Sequence, residues 1–135
     1  MTGGKRVGAE LADGFFVEPT VVVDVDNGSR IAQEEIFGPV LCVIPFHDEE
    51  EAVRLANDSQ YALAAYVHTN DLGRAHRIVE ELDAGYVSIN SFPSMTATAP
   101  FGGMKASGFG REGGRAGIEE FMQTKNVYVS LDRRS

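Results

Sequence analysis

The sequence predicts an α/β fold with a largely parallel sheet and crossover helices. Strand, helix, strand, helix and strand patterns alternate between residues 40 and 90, and this order is typical of right-handed βαβ units. Residues 91–117 are rich in Pro, Gly and Ser, which predicts a long functional loop. The alternating polar and apolar residues of 126–131 predict a terminal edge strand whose unpaired backbone could accept another chain.

Four further strands are predicted in chain order. After a polar, Gly-rich surface segment at 3–14, residues 20–25 are β-branched and almost continuously apolar, which is typical of a buried strand. Asp26 to Ser29 supplies turn residues. The remaining predicted strands are 40–46, with Pro39 and Pro45 near its ends, then 62–68 and 86–90.

Three helices are predicted from cap residues and apolar periodicity. The first covers 48–56, with Asp48 as N-cap and Glu51 three residues later, a variant of the capping box. The second begins at Asn70 or Asp71 and carries apolar residues at helical spacing up to residue 82. Gly85 is expected to end it in a left-handed conformation. A short helix is predicted over 118–124.

Composition predicts one acidic domain and limits its partners. The chain has 135 residues, with 12 Lys+Arg against 20 Asp+Glu and a net charge of -8, so nucleic acid is not an expected partner. Its size predicts a core that buries roughly two-thirds of the unfolded surface. No apolar run reaches the roughly 20 residues that cross a bilayer, and the first residues lack a signal pattern. We therefore expect a cytoplasmic protein with no membrane partner.

Candidates for metal binding and nucleophilic catalysis are weak. His47, His68 and His76 lack the spacing that places two ligands on one helical face, so no metal is expected. Cys42 lies within an apolar strand pattern, where a thiol is usually an inert small hydrophobe. No Gly-x-Ser-x-Gly motif is present. No catalytic residue is assigned.

The segment Gly108 to Gly113 matches the dinucleotide fingerprint G-x-G-x-x-G. That fingerprint requires a strand directly before it and a helix directly after it, so that the pyrophosphate meets the helix N-terminus. Residues 105–107 do not have a strand pattern. A structural turn is therefore favoured, and a free-standing dinucleotide-binding domain remains an alternative that depends on this match alone.

The segment Glu34 to Val40 has the most unusual composition in the chain. A pair of carboxylates precedes Phe37 and a Gly-Pro turn that leads into a strand. An ionised carboxylate offers two acceptor oxygens that suit a vicinal diol such as ribose, and a phenyl ring can pack on a sugar or flat ring. The alternative is a solvated acidic pair beside a core phenylalanine.

Three segments resemble motifs of the NAD(P)-dependent aldehyde dehydrogenases. Glu34 to Val40 is similar to the E-E-x-F-G-P motif of that family, and Ala99 to Gly113 resembles its P-F-G-G-x-K-x-S-G-x-G-R-E segment. Asn57 to Ala64 resembles N-x-x-x-Y-G-L-A, with Ala62 in place of the usual glycine. The resemblance covers essentially the whole chain.

The resemblance implies roles for particular residues. Glu35 would hydrogen-bond the nicotinamide ribose hydroxyls of NAD or NADP, and Phe37 would pack beside that ribose. Phe101, Met95 and Asn90 would line or support the tunnel for a small-molecule aldehyde. Residues 1–124 would form the C-terminal portion of the catalytic domain. Residues 125–135 would form an oligomerisation strand and tail, which implies a homo-oligomer.

The resemblance also implies that the reacting groups lie elsewhere. In this family a cysteine thiolate attacks the aldehyde, hydride passes to the nicotinamide, and a glutamate activates water to hydrolyse the thioester. These groups precede the E-E-x-F-G-P motif, and the 34 residues before Glu35 contain no cysteine and no Rossmann pattern. This chain is therefore expected to be catalytically silent alone. The alternative is a separate assembly or regulatory module that pairs through 126–131.

Overall fold

The computed structural model describes residues 1–91 and 95–131 and contains four α-helices, six short strands and one 3-10 turn in those ranges. The helices are α1 (Arg30–Gln33), α2 (Glu49–Asn57), α3 (Leu72–Glu81) and α4 (Gly114–Glu119). The strands are β1 (Thr20–Val22), β2 (Val40–Cys42), β3 (Tyr61–Ala62), β4 (Ala64–Val67), β5 (Tyr86–Ile89) and β6 (Met104–Lys105). The turn is Ala9–Leu11. The fold is mixed α/β, as predicted.

Two parallel strand pairs give the fold its α/β character. β1 pairs with β2, and β4 pairs with β5 through the crossover helix α3. The prediction of one largely parallel sheet is wrong for the described residues, which form three two-stranded sheets. The predicted strand 62–68 divides at Leu63 because its two halves have different partners: β3 pairs antiparallel with β6, whereas β4 pairs with β5.

The N-terminus of α2 confirms the predicted capping box. The Asp48 Oδ1 atom accepts a hydrogen bond from the Glu51 backbone N–H at 2.8 Å. Glu51 Oε2 in turn accepts from the His47 backbone N–H at 2.8 Å. The Glu51 N–H, one of those that a helix start leaves unpaired, is thus satisfied by the Asp48 side chain, and the Glu51 carboxylate binds the chain just before the cap. The chain from the second strand into α2 is fixed locally, as its sequence predicts.

α3 begins as predicted but ends differently. Asp71 Oδ1 accepts from the Arg74 backbone N–H at 2.9 Å, and this hydrogen bond is the main reason that the pKa of Asp71 is lowered from 3.8. Because the folded pKa is depressed, the ionised cap stabilises the helix above its unfolded pKa, and this contribution is lost as the pH falls through the folded value. At the other end, the C-cap Leu82 is extended, and Gly85 is not among the residues with positive φ.

Asn57 closes the end of α3 in place of the expected glycine. Its Nδ2 donates to the Glu81 carbonyl at 2.8 Å, and its Oδ1 accepts from the Asp83 N–H at 2.8 Å. A side chain from the end of α2 therefore satisfies backbone groups that a left-handed glycine would otherwise have satisfied locally. The prediction for Gly85 is wrong because a long-range contact replaces the local one.

The last part of the described chain also departs from prediction. The helix predicted at 118–124 lies earlier, as α4, and within it Gly117 packs against the Glu112 backbone, where an added Cβ would come within 2.9 Å of the Glu112 carbonyl carbon. The predicted loop 91–117 contains β6 and the start of α4, and its residues 92–94 lie outside the described ranges. Residues 126–131 pair with no strand of the described ranges. Residues 132–135 of the predicted tail are not described.

The core is much smaller than composition predicts. Among the described residues, the buried hydrophobic side chains are Val25, Val53, Ala62 and Ala75. The accessible surface is 11017 Å², against about 6,900 Å² for a compact monomer of this mass. The chain thus buries only about half of its unfolded surface rather than two-thirds. Phe15 and Phe109 are completely exposed, so much of the apolar surface lacks cover within this chain.

None of the helices in residues 1–91 and 95–131 is both long enough and apolar enough to cross a membrane. The longest, α3, has 10 residues, and a crossing helix needs about 20.

Candidate functional site

The turn between α1 and β2 presents two unpaired side chains to solvent. Glu34 is engaged, because its Oε2 lies 2.9 Å from Arg30 Nε. Glu35 is exposed and forms no hydrogen bond or ion pair within the described ranges. The Phe37 side chain is 94% exposed. The two predicted cofactor-binding residues are therefore on one turn, with a free carboxylate and a free ring.

The backbone of this turn is strained and well anchored. Phe37 has φ 53, a left-handed conformation that costs free energy for a residue with a bulky side chain. The Pro39 carbonyl accepts from the Thr20 N–H at 2.8 Å, and the Val40 N–H donates to the Gly38 carbonyl at 2.8 Å. Strain of this kind persists only where the surroundings fix it, and it is frequent at functional sites. The β1–β2 pair therefore positions the exposed ring.

A large open cavity adjoins Glu35 but not Phe37. Its volume is about 930 Å³, and it lies between α2, α3 and the β3–β4 segment. Its apolar lining comes from Ala52, Val53, Ala56, Ile78 and Leu82, among others. None of the three predicted tunnel residues lines it. Sequence analysis did not find this groove, although the apolar faces of both helices were visible in their periodicity.

Phe101 lies in the segment that leads into β6. Its ring makes an edge contact with Tyr86, with ring centroids 5.9 Å apart. Its backbone exchanges two 2.8 Å hydrogen bonds with Glu112, which fixes it against the Gly-rich segment that follows. Phe101 is half-buried. The Phe101 ring therefore contacts one aromatic partner, and the Phe101 backbone is paired with Glu112.

Asn90 directly follows β5, and Met95 lies further along the chain. Asn90 has φ 50, and its amide is fully engaged: Oδ1 accepts from the Thr69 N–H at 2.9 Å, and Nδ2 donates to the Thr69 carbonyl at 2.7 Å. Met95 is 61% exposed. Asn90 lies four positions after Tyr86, roughly 13 Å along a strand, so Asn90 is not beside the contact between Tyr86 and Phe101. Its amide positions the end of the strand pair.

The segment Ala99 to Gly113, here called the second motif, is held together by side chains to which the sequence alone assigned no role. Lys105 Nζ lies 2.9 Å from Asp83 Oδ2 and donates to the Asn57 carbonyl at 2.8 Å. Arg111 Nη1 donates to the Gly103 carbonyl at 2.8 Å. Ser107 Oγ accepts from the Ala62 N–H at 2.9 Å. The Lys105 and Ser107 contacts attach the segment that carries Phe101 to the end of α2, to the residue after the C-cap of α3 and to β3, whereas the Arg111 contact lies within the segment.

The geometry of Gly108 to Gly113 agrees with a structural turn. Gly108, Gly110 and Gly113 all have positive φ. The Glu120 carboxylate lies 3.3 Å from the position of a Cβ at Gly110, and it accepts from the Arg111 N–H at 3.2 Å. A phosphate bound at this segment would be repelled by the Glu120 carboxylate, so the segment does not suit a phosphate site.

We expect that Ser107→Ala will expose the Ala62 amide to exchange. Ala62 is only 5% exposed, and its N–H loses its hydrogen-bond acceptor, which costs about 1–3 kcal/mol. Amide hydrogen exchange at Ala62, with thermal unfolding, measures the effect. Thr96→Ala is the matched control, because it removes an exposed hydroxyl whose hydrogen-bond partner among the described residues is Thr98 Oγ1, at 3.2 Å. Unchanged protection of Ala62 would contradict the assignment.

The remaining candidates for chemistry are metal-ligating side chains and the thiol of Cys42. Among the described residues, no group of three His, Cys, Asp or Glu side chains is arranged to hold a metal ion. Cys42 is half-buried in β2, and its Sγ lies 3.6 Å from the Ile31 carbonyl oxygen. The Cys42 thiol thus lies beside a neutral backbone oxygen.

A model of the aldehyde dehydrogenase family matches residues 1–127 of this chain. The chain belongs to the aldehyde dehydrogenase family. The match includes all three motif segments, 34–40, 57–64 and 99–113. The resemblance inferred from the sequence is therefore confirmed at the level of the family.

Curated relatives give the same result. A betaine aldehyde dehydrogenase from Cereibacter sphaeroides is 49% identical over 132 residues, which is 96% of this chain and 27% of that protein. One from Bacillus subtilis is 49% identical over 128 residues, 94% of this chain and 26% of that protein. This aldehyde dehydrogenase chain thus spans about a quarter of the length of the relatives it matches.

Solved structures share its fold. A point mutant of betaine aldehyde dehydrogenase from Staphylococcus aureus, in complex with NAD+, has a TM-score of 0.91 and 46% identity over 98% of this chain and 27% of its own. A mutant of the P. syringae indole-3-acetaldehyde dehydrogenase AldA, in complex with NAD+ and IAA, has a TM-score of 0.89 and 44% identity, covering 97% of this chain and 26% of its own. The small separate sheets of this aldehyde dehydrogenase chain are thus superposable on parts of larger enzymes.

Proposed function

We propose that this chain supplies one wall of the cofactor and substrate sites of an NAD(P)-dependent aldehyde dehydrogenase, which oxidises an aldehyde to a carboxylate. The observation that carries the proposal is the strained turn with Glu35 unpaired and Phe37 94% exposed. A carboxylate and a phenyl ring held free of the rest of the chain are available to a ligand. The membership of the family supports dinucleotide as that ligand.

The residues on this turn fit the ribose of a dinucleotide. The Glu35 carboxylate provides two acceptor oxygens for a vicinal diol, and the exposed Phe37 ring provides an apolar face beside it. NAD(P)+, when bound, accepts the hydride that the aldehyde loses in this chemistry. NAD+ is the cofactor named in the solved relatives. No site for the adenosine end is assigned within residues 1–91 and 95–131, and we propose that residues outside these ranges decide between NAD and NADP.

Substrate contacts are proposed at the second motif. Phe101 is held by Tyr86 and by the Glu112 backbone, which suits a fixed apolar wall, and Met95 is exposed nearby in sequence. Asn90 is a supporting residue, since both polar atoms of its amide are bound to Thr69. Betaine aldehyde is the first substrate to test, because several relatives are named for its oxidation.

We infer that no residue of this chain is the nucleophile or the base. Cys42 follows the E-E-x-F-G-P motif and is half-buried in β2, beside the neutral carbonyl oxygen of Ile31. The remaining length of a relative, about three-quarters, would supply the cysteine, the oxyanion donors and the base. We also propose that residues 1–124 are catalytic-domain sequence and that 125–135 form an oligomerisation strand and tail.

The assembly module remains the second candidate. Val127, Tyr128 and Leu131 are exposed, and 126–131 pairs with no strand of the described ranges. A segment with this alternating pattern can add a strand to the edge of another sheet. This pairing would also serve a homo-oligomer of the complete enzyme, so the two candidates differ in activity and not in this contact.

The purified chain is expected to form no NADH from NAD+ and betaine aldehyde, because the reacting groups are proposed to lie outside it. Absorbance of NADH measures this directly. The positive control is a chimera in which this chain replaces the matching quarter of the Bacillus subtilis relative, which should turn over. Robust turnover by the chain alone would overturn the silent assignment, and an inactive but folded chimera would favour the assembly module.

A further inference from the structure

The side chain of Asn27 joins the turn after β1 to the end of α2. Its Nδ2 donates to the Leu55 carbonyl at 3.3 Å, to the Asp58 carbonyl at 3.4 Å and to Asp58 Oδ2 at 3.1 Å. All three acceptors are within or directly after the last turn of α2. We call these three hydrogen bonds the Asn27 clamp. Only a neutral amide can make them, since a carboxylate at 27 has no N–H to donate.

The clamp leads directly to the proposed cofactor turn. Gln33, at the end of α1, donates to the Asn27 carbonyl at 2.7 Å and to the Asp58 carbonyl at 2.8 Å. Glu34 and Glu35 follow at once. Residues 26–33 are therefore fastened to α2 by two amide side chains, and the position of Glu35 depends on that attachment.

We propose that Asn27 is a site of spontaneous deamidation, which opens the clamp irreversibly. The Gly28 backbone nitrogen forms a bond to Asn27 Cγ, the Cγ–Nδ2 bond breaks, and ammonia leaves with the proton from Gly28. Solvent water then opens the resulting cyclic imide to aspartate or isoaspartate. No oxidant or reductant is consumed, and the net change is addition of water and loss of ammonia.

The sequence context singles out Asn27 among the five asparagines. Asn27 is followed by Gly28, which has no side chain to obstruct the attack, and Gly28 is exposed in a turn. The other four are followed by larger residues: Asn57 by Asp58, Asn70 by Asp71, Asn90 by Ser91 and Asn126 by Val127. Asn57 and Asn90 also have both polar atoms of the amide bound. They serve as internal controls.

The folded clamp slows the reaction without preventing it. The Gly28 N–H donates to Asp26 Oδ1 at 3.0 Å, and this bond must break before the nitrogen can reach Cγ. Asn27 is half-buried and the bonds to Asp58 are exposed, so local opening of the turn is accessible. Local opening of this turn is transient in the unmodified chain, and deamidation during such an opening makes the change permanent.

The product cannot close the clamp again. A carboxylate at 27 would face Asp58 Oδ2, which lies 3.1 Å from the nitrogen it replaces, as well as two carbonyl oxygens. Like charges at this distance repel, and the three acceptors lose their donor. Residues 26–33 are then attached to α2 by the Gln33 side chain, instead of by the Asn27 and Gln33 side chains together.

The rate test uses the whole chain and peptide mapping by mass spectrometry after prolonged incubation in the folded state. We expect Asn27 to deamidate first among the five asparagines, and faster in denaturant than in the folded chain. Gly28→Ala is the matched control, because an added Cβ meets only Asp26 Oδ1, at 3.6 Å. This variant should fold normally and lose most of the deamidation. Equal or slower reaction at Asn27 than at the other four would overturn the proposal.

The consequence is tested with Asn27→Asp. Hydrogen exchange over 26–35 is expected to rise at least several-fold, and the unfolding midpoint to fall. In the double variant Asn27→Asp with Asp58→Asn, an amide again faces a carboxylate, and part of the protection should return. Unchanged exchange in Asn27→Asp, or no recovery in the double variant, would overturn the clamp. The link to Glu35 depends on the proposed function, but neither readout does, so the two can fail separately.

Discussion

Gly85→Ala is expected to abolish the cooperative fold of the β3–β6 and β4–β5 region. An added Cβ at Gly85 would collide with the Gly102 carbonyl oxygen, and the Gly102 carbonyl carbon would lie at 2.8 Å. These are backbone atoms, which cannot rotate away as a side chain can. Overpacking typically costs about 1–3 kcal/mol and more where nothing yields, and this chain has few buried residues to offset the loss.

Circular dichroism and denaturant unfolding measure the Gly85→Ala effect. Gly8→Ala is the matched control, since no atom lies within 4 Å of an added Cβ there and its φ is not positive. The control should unfold as the parent chain does. If Gly85→Ala has the same unfolding midpoint as Gly8→Ala, then Gly102 does not pass over Gly85 in solution.

Glu35→Gln in the chimera with the Bacillus subtilis relative is expected to raise KM for NAD+ by roughly ten- to a hundredfold, in line with loss of a hydrogen bond to a charged acceptor. The substitution preserves size and removes the charge. The proposed contact is with the cofactor, so KM for the aldehyde should change much less. Steady-state kinetics with NAD+ as the varied substrate provide the measurement.

Glu34→Gln is the neighbouring control for Glu35. Glu34 forms an exposed ion pair with Arg30 at 2.9 Å, and exposed pairs of this kind contribute little. Its KM for NAD+ should remain within about twofold of the parent chimera on those grounds. A similar rise in both variants would indicate a general effect of negative charge on this turn, and the ribose contact proposed for Glu35 would then be wrong.

Features determined within a few residues were predicted well. The caps at Asp48 and Asp71 depend on a side chain and an N–H three residues later, so the sequence contains both partners. The unusual turn at 34–40 was also visible in composition, because Gly-Pro after an aromatic constrains the backbone locally. The roles of Glu35 and Phe37 came from the chemistry of their side chains and from the family resemblance, and these roles stay predictions.

Features determined by distant partners were not predicted. Asn57 at the end of α3, Ser107 on Ala62 and Lys105 on Asp83 each join segments more than 20 residues apart, and no local pattern indicates them. The α2–α3 groove was missed for the same reason. The positions of Lys105, Ser107 and Arg111 within the motif at 99–113 were the available signal, but a position in a motif does not identify the backbone groups that these side chains bind.

The sequence by itself determined the family, the α/β alternation, the helix starts and the residues proposed to meet the cofactor. The tertiary structure alone decided how strands divide between sheets, why Gly85 must be glycine, and how little apolar surface this chain buries. Helix starts and turns depend on short-range hydrogen bonds, which adjacent residues specify. Strand pairing and burial depend on which distant surfaces meet, and here the chain covers only part of its own apolar surface.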